Sequence, residues 1–259
     1  MISVKNFEEI KTMRQAGRIL AEVMQKIARQ VKPGVSTLEL DQLAEKLILS
    51  QGVQPAFKGY GDKKNRFPAT LCTSVNEQVV HAIPQSQVIL KKGDIIGLDC
   101  GLKYQGYYSD MAITLGVGEI SPAQEKLLEV TKKALQKGIA QAKTGNHLED
   151  ISWAIQSWVE KNGFSVVRQL TGHGIGKKLH EQPSVFNFGQ PGQGPKLKTG
   201  MTLAIEPMVN EGDWPVATLD DGWTIVTEDN SLSAHFENTI LITPQGGEVL
   251  TSLEKYGYF

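Results

Sequence analysis

The sequence predicts an α+β protein made of two similar halves, each with two helices followed by strands. Three observations lead there. Helical hydrophobic spacing gives way to short β-type apolar runs, and that order occurs twice. Residues 32–52 align without gaps on residues 143–163, an offset of 111. In that match Lys32, Gly34 and Gly52 fall on Lys143, Gly145 and Gly163, while Leu40, Leu47 and Ile48 fall on Ile151, Trp158 and Val159. The chain has 259 residues, 40% hydrophobic and 21% charged, which is ordinary globular composition and long enough for two fused halves. One domain over 1–259 is expected, with halves of about 7–118 and 121–245 and a ligand site between them.

The elements follow in order. Asn6 suits the N-cap of a first helix, with Glu9 three residues on as its capping-box partner. Ile10, Met13, Leu20, Val23, Met24 and Ile27 recur at helical spacing as one buried stripe, and Lys32-Pro33-Gly34 ends it. Ser36 and Glu39 open a second helix that turns Leu40, Leu43, Leu47 and Ile48 inward and ends at Gly52. Residues 53–68 read as a loop rich in Gly, Pro, Lys and aromatics. Strands follow in ATLCTSV, DIIGLDCG and YSDMAITLGV. Ser121 then starts a third helix with Pro122 as its first residue, and a fourth covers about 147–162. SVVRQLT, MTLAIEPMV, WTIVT and AHFENTILIT read as further strands.

Charge and cysteine usage narrow the function. Lys plus Arg number 27 and Asp plus Glu 28, a net charge of -1, so nothing pulls the chain as a whole toward nucleic acid or a membrane. Two cysteines, Cys72 and Cys100, make no disulfide framework and fit a reducing cytosol. The N-terminus turns charged within a few residues and lacks the apolar core of a signal peptide. No window approaches the roughly 18 apolar residues of a membrane helix. A cytoplasmic monomer is expected.

The chemistry lies in the setting of four carboxylates. Asp99 sits in IIGLDCG, Asp110 in YYSDMAITL, Glu206 in TLAIEPMV and Glu237 in AHFENTILI, each interrupting an apolar strand. Any one alone reads as well as a buried ion pair or an edge-strand residue. Four together, with few basic residues alongside, call for bound cations, because an unpaired buried carboxylate costs several kcal/mol or takes up a proton. Asp99 and Asp110 lie 11 apart across GLKYQGYYS, which suits the two arms of a hairpin. His173, in TGHGIG, adds an imidazole in a Gly-rich segment where backbone comes close to a ligand. Four carboxylates and a neutral His carry about -4, which two divalent ions would neutralise; oxygen and imidazole donors suit Mn, Fe, Co or Zn. Such a cluster is the usual setting for two-metal hydrolysis.

These residues together resemble a methionine aminopeptidase of the short bacterial type I class in peptidase family M24. The likeness runs over nearly the whole chain, through EIKTMRQAGRILA, CTSVNEQVVHAIP, DIIGLDCG, YSDMAITL, TGHGIGKKLHEQP, GMTLAIEPM and DGWTIVTEDNSLSAHFENTI. It implies a single catalytic domain of the duplicated pita-bread (creatinase/aminopeptidase) fold, with antiparallel sheet and covering helices. It implies removal of the initiator methionine from nascent polypeptides whose second residue is small, with transient contact with the ribosome. Carried over by residue, it implies that Asp110 and Glu237 bridge two metal ions, that Asp99 completes one, and that His173 and Glu206 complete the other. Glu206 would also shuttle the proton of the attacking water. His81 would hydrogen-bond the scissile amide, and His180 would meet the substrate carbonyl and its oxyanion. Tyr60, Phe67, Cys72, Leu179 and Trp223 are implied walls of the pocket for the methionine side chain.

Departures from the pattern are also legible. Loop 61–67, GDKKNRF, adds charged residues where relatives run GYGGFP. His235 stands where Gln is common and Asn238 where His is frequent. His235, two residues from Glu237, is expected to support the metal site or line the pocket. His147 is expected to do no more than start the fourth helix, and Cys100 to face the core.

Two rival readings compete with this one. A proline-specific peptidase or creatinase-like hydrolase of the same fold usually carries an extra N-terminal domain, whereas here the catalytic helices begin by residue 7. A binding module that lost the chemistry predicts missing ligands, and all five are present. The type II methionine class has a late helical insertion, for which the 25 residues between His180 and Glu206 leave no space.

Overall fold

The computed structural model describes residues 2–253. Both early helices start as their caps dictate. In α1 (Phe7–Ala28) the Asn6 side chain accepts the Glu9 N–H at 3.0 Å and the Glu9 carboxylate accepts the Asn6 N–H at 2.9 Å. Ser36 and Glu39 repeat this exchange ahead of α2 (Thr37–Ser50). The 53–68 stretch, expected to be loop, holds β1 (Gln54–Pro55) and a small hairpin of β2 (Gly61–Asp62) and β3 (Asn65–Arg66). Then come β4 (Leu71–Val75), β5 (Gln78–Val80), β6 (Ile95–Tyr104) and β7 (Tyr107–Gly116).

The second half begins with α3 (Pro122–Gln141) and α4 (Leu148–Lys161), the latter opened by His147, whose N–H reaches the Asp150 carboxylate at 2.7 Å. Its strands are β8 (Ser165–Val166), β9 (Thr171–Gly174), β10 (Glu181–Phe186), β11 (Thr202–Ile205), β12 (Met208–Asn210), β13 (Val216–Thr218), β14 (Ile225–Thr227), β15 (Ser233–His235), β16 (Glu237–Ile242) and β17 (Gly247–Val249). Helices α2 and α4 each have 14 residues and keep the offset of 111 read from the sequence. Their flanking glycines match as well: Gly34 and Gly145 have φ of +91° and +97°, Gly52 and Gly163 of +70° and +84°. Glycine recurs there because the left-handed turn penalises any Cβ.

A nine-stranded sheet runs β1-β6-β7-β16-β11-β9-β10, with β4 also on β6 and β17 on β16; the first half joins the second where β7 pairs with β16. Its pairings are antiparallel, so the two faces separate by residue parity. Leu98, Cys100, Met111, Ile113, Leu203, Ile205, Ile240 and Ile242 fall on one face. They share a core with Leu20, Met24 and Ile27 of α1, Leu40 and Ile48 of α2, Leu135 of α3 and Ile151 of α4. The helices therefore cover that face and leave the other free.

Two expected strands are broken. MTLAIEPMV is divided at Glu206-Pro207 between β11 in the large sheet and β12 in a three-stranded one; AHFENTILIT is divided at Phe236 in the same way. Pro207 lacks the N–H a continuous ladder needs. SVVRQLT is likewise extended only at its ends, β8 and the start of β9.

Candidate metal centre

Register alone brings the acidic residues together. Asp99 pairs with Ala112, and Ala112 pairs with Glu237 on the next strand. Asp110 lies two residues from Ala112 and so shares that face. Ile205 pairs with Asn238, which sets Glu206 beside Glu237, and Ala204 pairs with His173. All five groups expected from the sequence emerge on the face the helices leave free, over the small side chains of Ala112 and Ala204.

Asp110, His173 and Glu237 each offer a donor atom within 4.8 Å of the others. His173 Nε2 stands 3.9 Å from Asp110 Oδ2 and 3.7 Å from Glu206 Oε1. Asp110 and Glu237 are 3% and 2% exposed, and no Lys or Arg among the described residues pairs with any of the four carboxylates. Asp99 Oδ1, Asp110 Oδ1 and Glu237 Oε1 are buried without a hydrogen-bond partner. Burial is the main reason their proton affinities rise: Asp99 is pushed up to about 7 and Glu206 to about 8, and Asp110 and Glu237 go well above the carboxylate range. Asp110 and Glu237 also feel the negative charge of their acidic neighbours, and Asp99 that of Glu206. Orphaned oxygens plus an imidazole form a donor set that fits divalent metal.

His173 is prepared for such a role. Its Nδ1 bonds to Gly174 O at 2.9 Å, so that nitrogen carries the hydrogen and Nε2 faces the carboxylates bare. Burial, then the nearby His180, lowers its pKa to about 3, so the ring is neutral. The glycines around it are required by strand packing. A Cβ at Gly172 would lie 2.4 Å from Ala204 O, and one at Gly174 would lie 2.2 Å from Gln182 O. Close packing of β9 between β11 and β10 requires them.

The remaining expected residues surround one cavity of about 90 Å³. It is lined by the five acidic and imidazole groups with Tyr60, Phe67, Cys72, His81, Leu179, His180 and Trp223. Phe57 is a further wall that the sequence did not reveal; it lies under Gly101, where an added Cβ would come within 2.8 Å of its ring. The volume falls below the ~300 Å³ at which whole small-molecule sites begin, which suits one side chain. His180 Nδ1 bonds the Tyr60 hydroxyl, leaving Nε2 toward the cavity, and the His180 ring meets the His173 ring edge-on at 4.3 Å. His81 is held at a φ of +59°, rare for a residue with a Cβ, and burial lowers its pKa to about 4. Cys100 points to the core, while Cys72, opposite Asp99, faces the cavity.

His235 does not line the cavity. It closes β15, two residues before the start of the strand that carries Glu237, yet its buried Nε2 reaches within 3.6 Å of Glu206 Oε2 and has no hydrogen-bond partner. Asn238 points away, donating to Thr251 O and Oγ1.

The chain is similar to known proteins over its full extent. The model for metallopeptidase family M24 matches residues 11–244. A protein of Clostridium perfringens named methionine aminopeptidase is 54% identical over 98% of this chain and 100% of its own length. The crystal structure of the methionine aminopeptidase of Thermotoga maritima superposes with a TM-score of 0.94 at 45% identity, covering 97% of this chain and all of that one. A prolidase of Pyrococcus furiosus, at 22% identity, TM-score 0.76, and 96% of this chain on 65% of that one, shares the pita-bread fold alone. The chain belongs to the methionine aminopeptidases of metallopeptidase family M24, and is a metallo-aminopeptidase of the pita-bread fold.

Proposed function

We propose that the protein removes the initiator methionine from nascent polypeptides whose second residue is small, holding two divalent ions, Co, Mn, Fe or Zn, to do so. The supporting observation is the set of three buried carboxylates, a fourth that is half-buried (Glu206) and one neutral imidazole, without basic partners among the described residues, facing a cavity sized for one side chain. Asp110 and Glu237 would hold both ions, Asp99 one, and His173 with Glu206 the other. When bound, the ions supply Lewis-acid polarisation and make water acidic near neutral pH.

The chain's own residues do the rest. Tyr60, Phe67, Cys72, Leu179 and Trp223 enclose the first side chain and exclude water from it. Glu206 takes a proton from the attacking water and passes it to the leaving amine. His180 Nε2–H donates to the carbonyl oxygen as it gains charge, with Nδ1 steadied by Tyr60. His81, neutral, hydrogen-bonds the scissile amide. The duplicated halves of about 7–118 and 121–245 are read as one catalytic domain, supported by the matched helices and glycines.

The protein is assigned to the cytoplasm as a monomer that meets the ribosome transiently. No helix of the described residues is long and apolar enough to cross a membrane, and both cysteines are free and buried. Met-Ala-Ser, Met-Lys-Ser, Leu-Ala-Ser and an Ala-Pro peptide, each with and without chelator, test the reading. Cleavage of Met-Ala-Ser alone, abolished by chelation, is expected; preference for Ala-Pro would overturn it.

A further inference from the structure

Residues 61–66 stand between two walls of the cavity. Tyr60 and Phe67 face each other at the base of the β2–β3 hairpin, where Phe67 N–H donates to Tyr60 O at 2.8 Å. Beyond them the hairpin backs onto a third wall. A Cβ on Gly61 would sit 2.8 Å from Trp223 Cη2 and Cζ2, so backbone and indole are in direct contact. Trp223 Nε1–H donates to Asn65 Oδ1 at 3.0 Å, and Asn65 Nδ2–H donates to Asp221 O at 3.4 Å. Phe67 meets the same indole edge-on, centroids 5.3 Å apart.

The segment on the far side is itself braced. The Asp221 carboxylate accepts the N–H groups of Trp223 and Thr224, each at 2.8 Å, and the Thr224 hydroxyl at 2.6 Å. The hairpin closes on its own backbone, Gly61 to Arg66 and Asp62 to Asn65, and needs no side chain to do so. The Asn65 amide is thus spent on the 221–223 segment, 158 residues away from it at Trp223. An exposed hydrogen bond contributes little to stability, but this one fixes the angle of an indole that borders the cavity.

We propose that Asn65 is a positioning residue: it locks Trp223 through the 61–66 hairpin and so sets the width of the pocket for the first side chain. This rests on the aminopeptidase reading above. With the indole fixed, an unbranched methionine fits and a branched leucine is turned away. With it loose, the pocket binds methionine less well and discriminates less.

Asn65→Ala removes both bonds, the acceptor for the indole and the donor to Asp221 O, whereas Asn65→Asp keeps the acceptor for the indole and loses only the longer bond to Asp221 O. The metal-loaded full chain and both variants would be assayed for kcat and KM on Met-Ala-Ser and Leu-Ala-Ser. In parallel, the Trp223 indole N–H resonance of 15N-labelled protein, assigned by its loss in Trp223→Phe, reports the bond directly. Asn65→Ala should shift that resonance, raise KM for Met-Ala-Ser roughly threefold to tenfold, the scale of one hydrogen bond, and lower the Met/Leu ratio of kcat/KM by a similar factor. Its kcat on Met-Ala-Ser should change less than about twofold, and Asn65→Asp should recover most of the loss. An unmoved resonance, an unchanged Met/Leu ratio, or an Asp variant as impaired as the Ala variant overturns the proposal. If the parent chain cleaves no methionyl peptide, the functional reading fails by itself, and the resonance still decides whether Asn65 holds the indole.

Discussion

His173 and His235 show how the same side chain is set to different tasks by its neighbours. His173 gives one nitrogen to Gly174 O and turns the other to the carboxylates, so its lone pair points where a cation would sit. His235 uses its backbone, exchanging hydrogen bonds of 2.9 and 2.8 Å with Thr114, and leaves its ring against Glu206. At 3.6 Å that contact is longer than a hydrogen bond, and the ring also interacts electrostatically with Asp99. His235→Ala should therefore free Glu206 and weaken metal affinity about 10-fold or more, with His235→Gln intermediate. Calorimetric titration of the metal-stripped protein measures this, and equal affinities in all three would remove any role for the ring. His173 was legible from its glycine-rich surroundings and the family pattern. The left-handed backbone at His81 was not, since no residue type in VVHAIP announces a positive φ.

Among the elements, helices were the most legible because capping is local. Asn6 with Glu9 and Ser36 with Glu39 are three residues apart, and the bonds they imply form without help from the rest of the chain. Strand breaks were less so, because both sides of a break keep the same apolar pattern; Pro207 was the available signal, and the break at Phe236 follows from facing it, Phe236 N–H reaching Pro207 O at 3.4 Å. Strand β9 is the tightest element. Gly174→Ala would press a methyl onto the β10 carbonyl of Gln182 and should cost about 3 kcal/mol, several degrees of Tm, with lowered metal affinity as His173 shifts. Calorimetry on the variant decides it; a Tm within a degree of the parent would show that β9 moves aside cheaply.

At the scale of the whole molecule the metal centre couples folding to pH. Without metal, Asp99 and Glu206 hold their protons more tightly when folded than when unfolded. That contribution is complete below the unfolded carboxylate value near 4 and is lost as pH rises through about 7 for Asp99 and about 8 for Glu206. Metal-stripped protein should therefore lose Tm steadily between about pH 4 and 8, with little further loss from these two groups above that. Divalent metal at about 1,000 times its Kd should return roughly 4 kcal/mol, most visibly at pH 8. Scanning calorimetry across that range checks both; a metal-free Tm that climbs with pH would reverse the sign and refute the account.

The sequence by itself determined the four helices, the order of the two halves and the residues suited to metal, because caps, hydrophobic periods and carboxylates in apolar runs are properties of neighbouring positions. Only the tertiary structure decided that all five groups share one face, since this depends on the register of strands more than a hundred residues apart: a slip of one residue in β7–β16 would turn Glu237 to the helices. It also decided that the 61–66 segment is a hairpin leaning on Trp223, because that contact joins regions with no common local pattern.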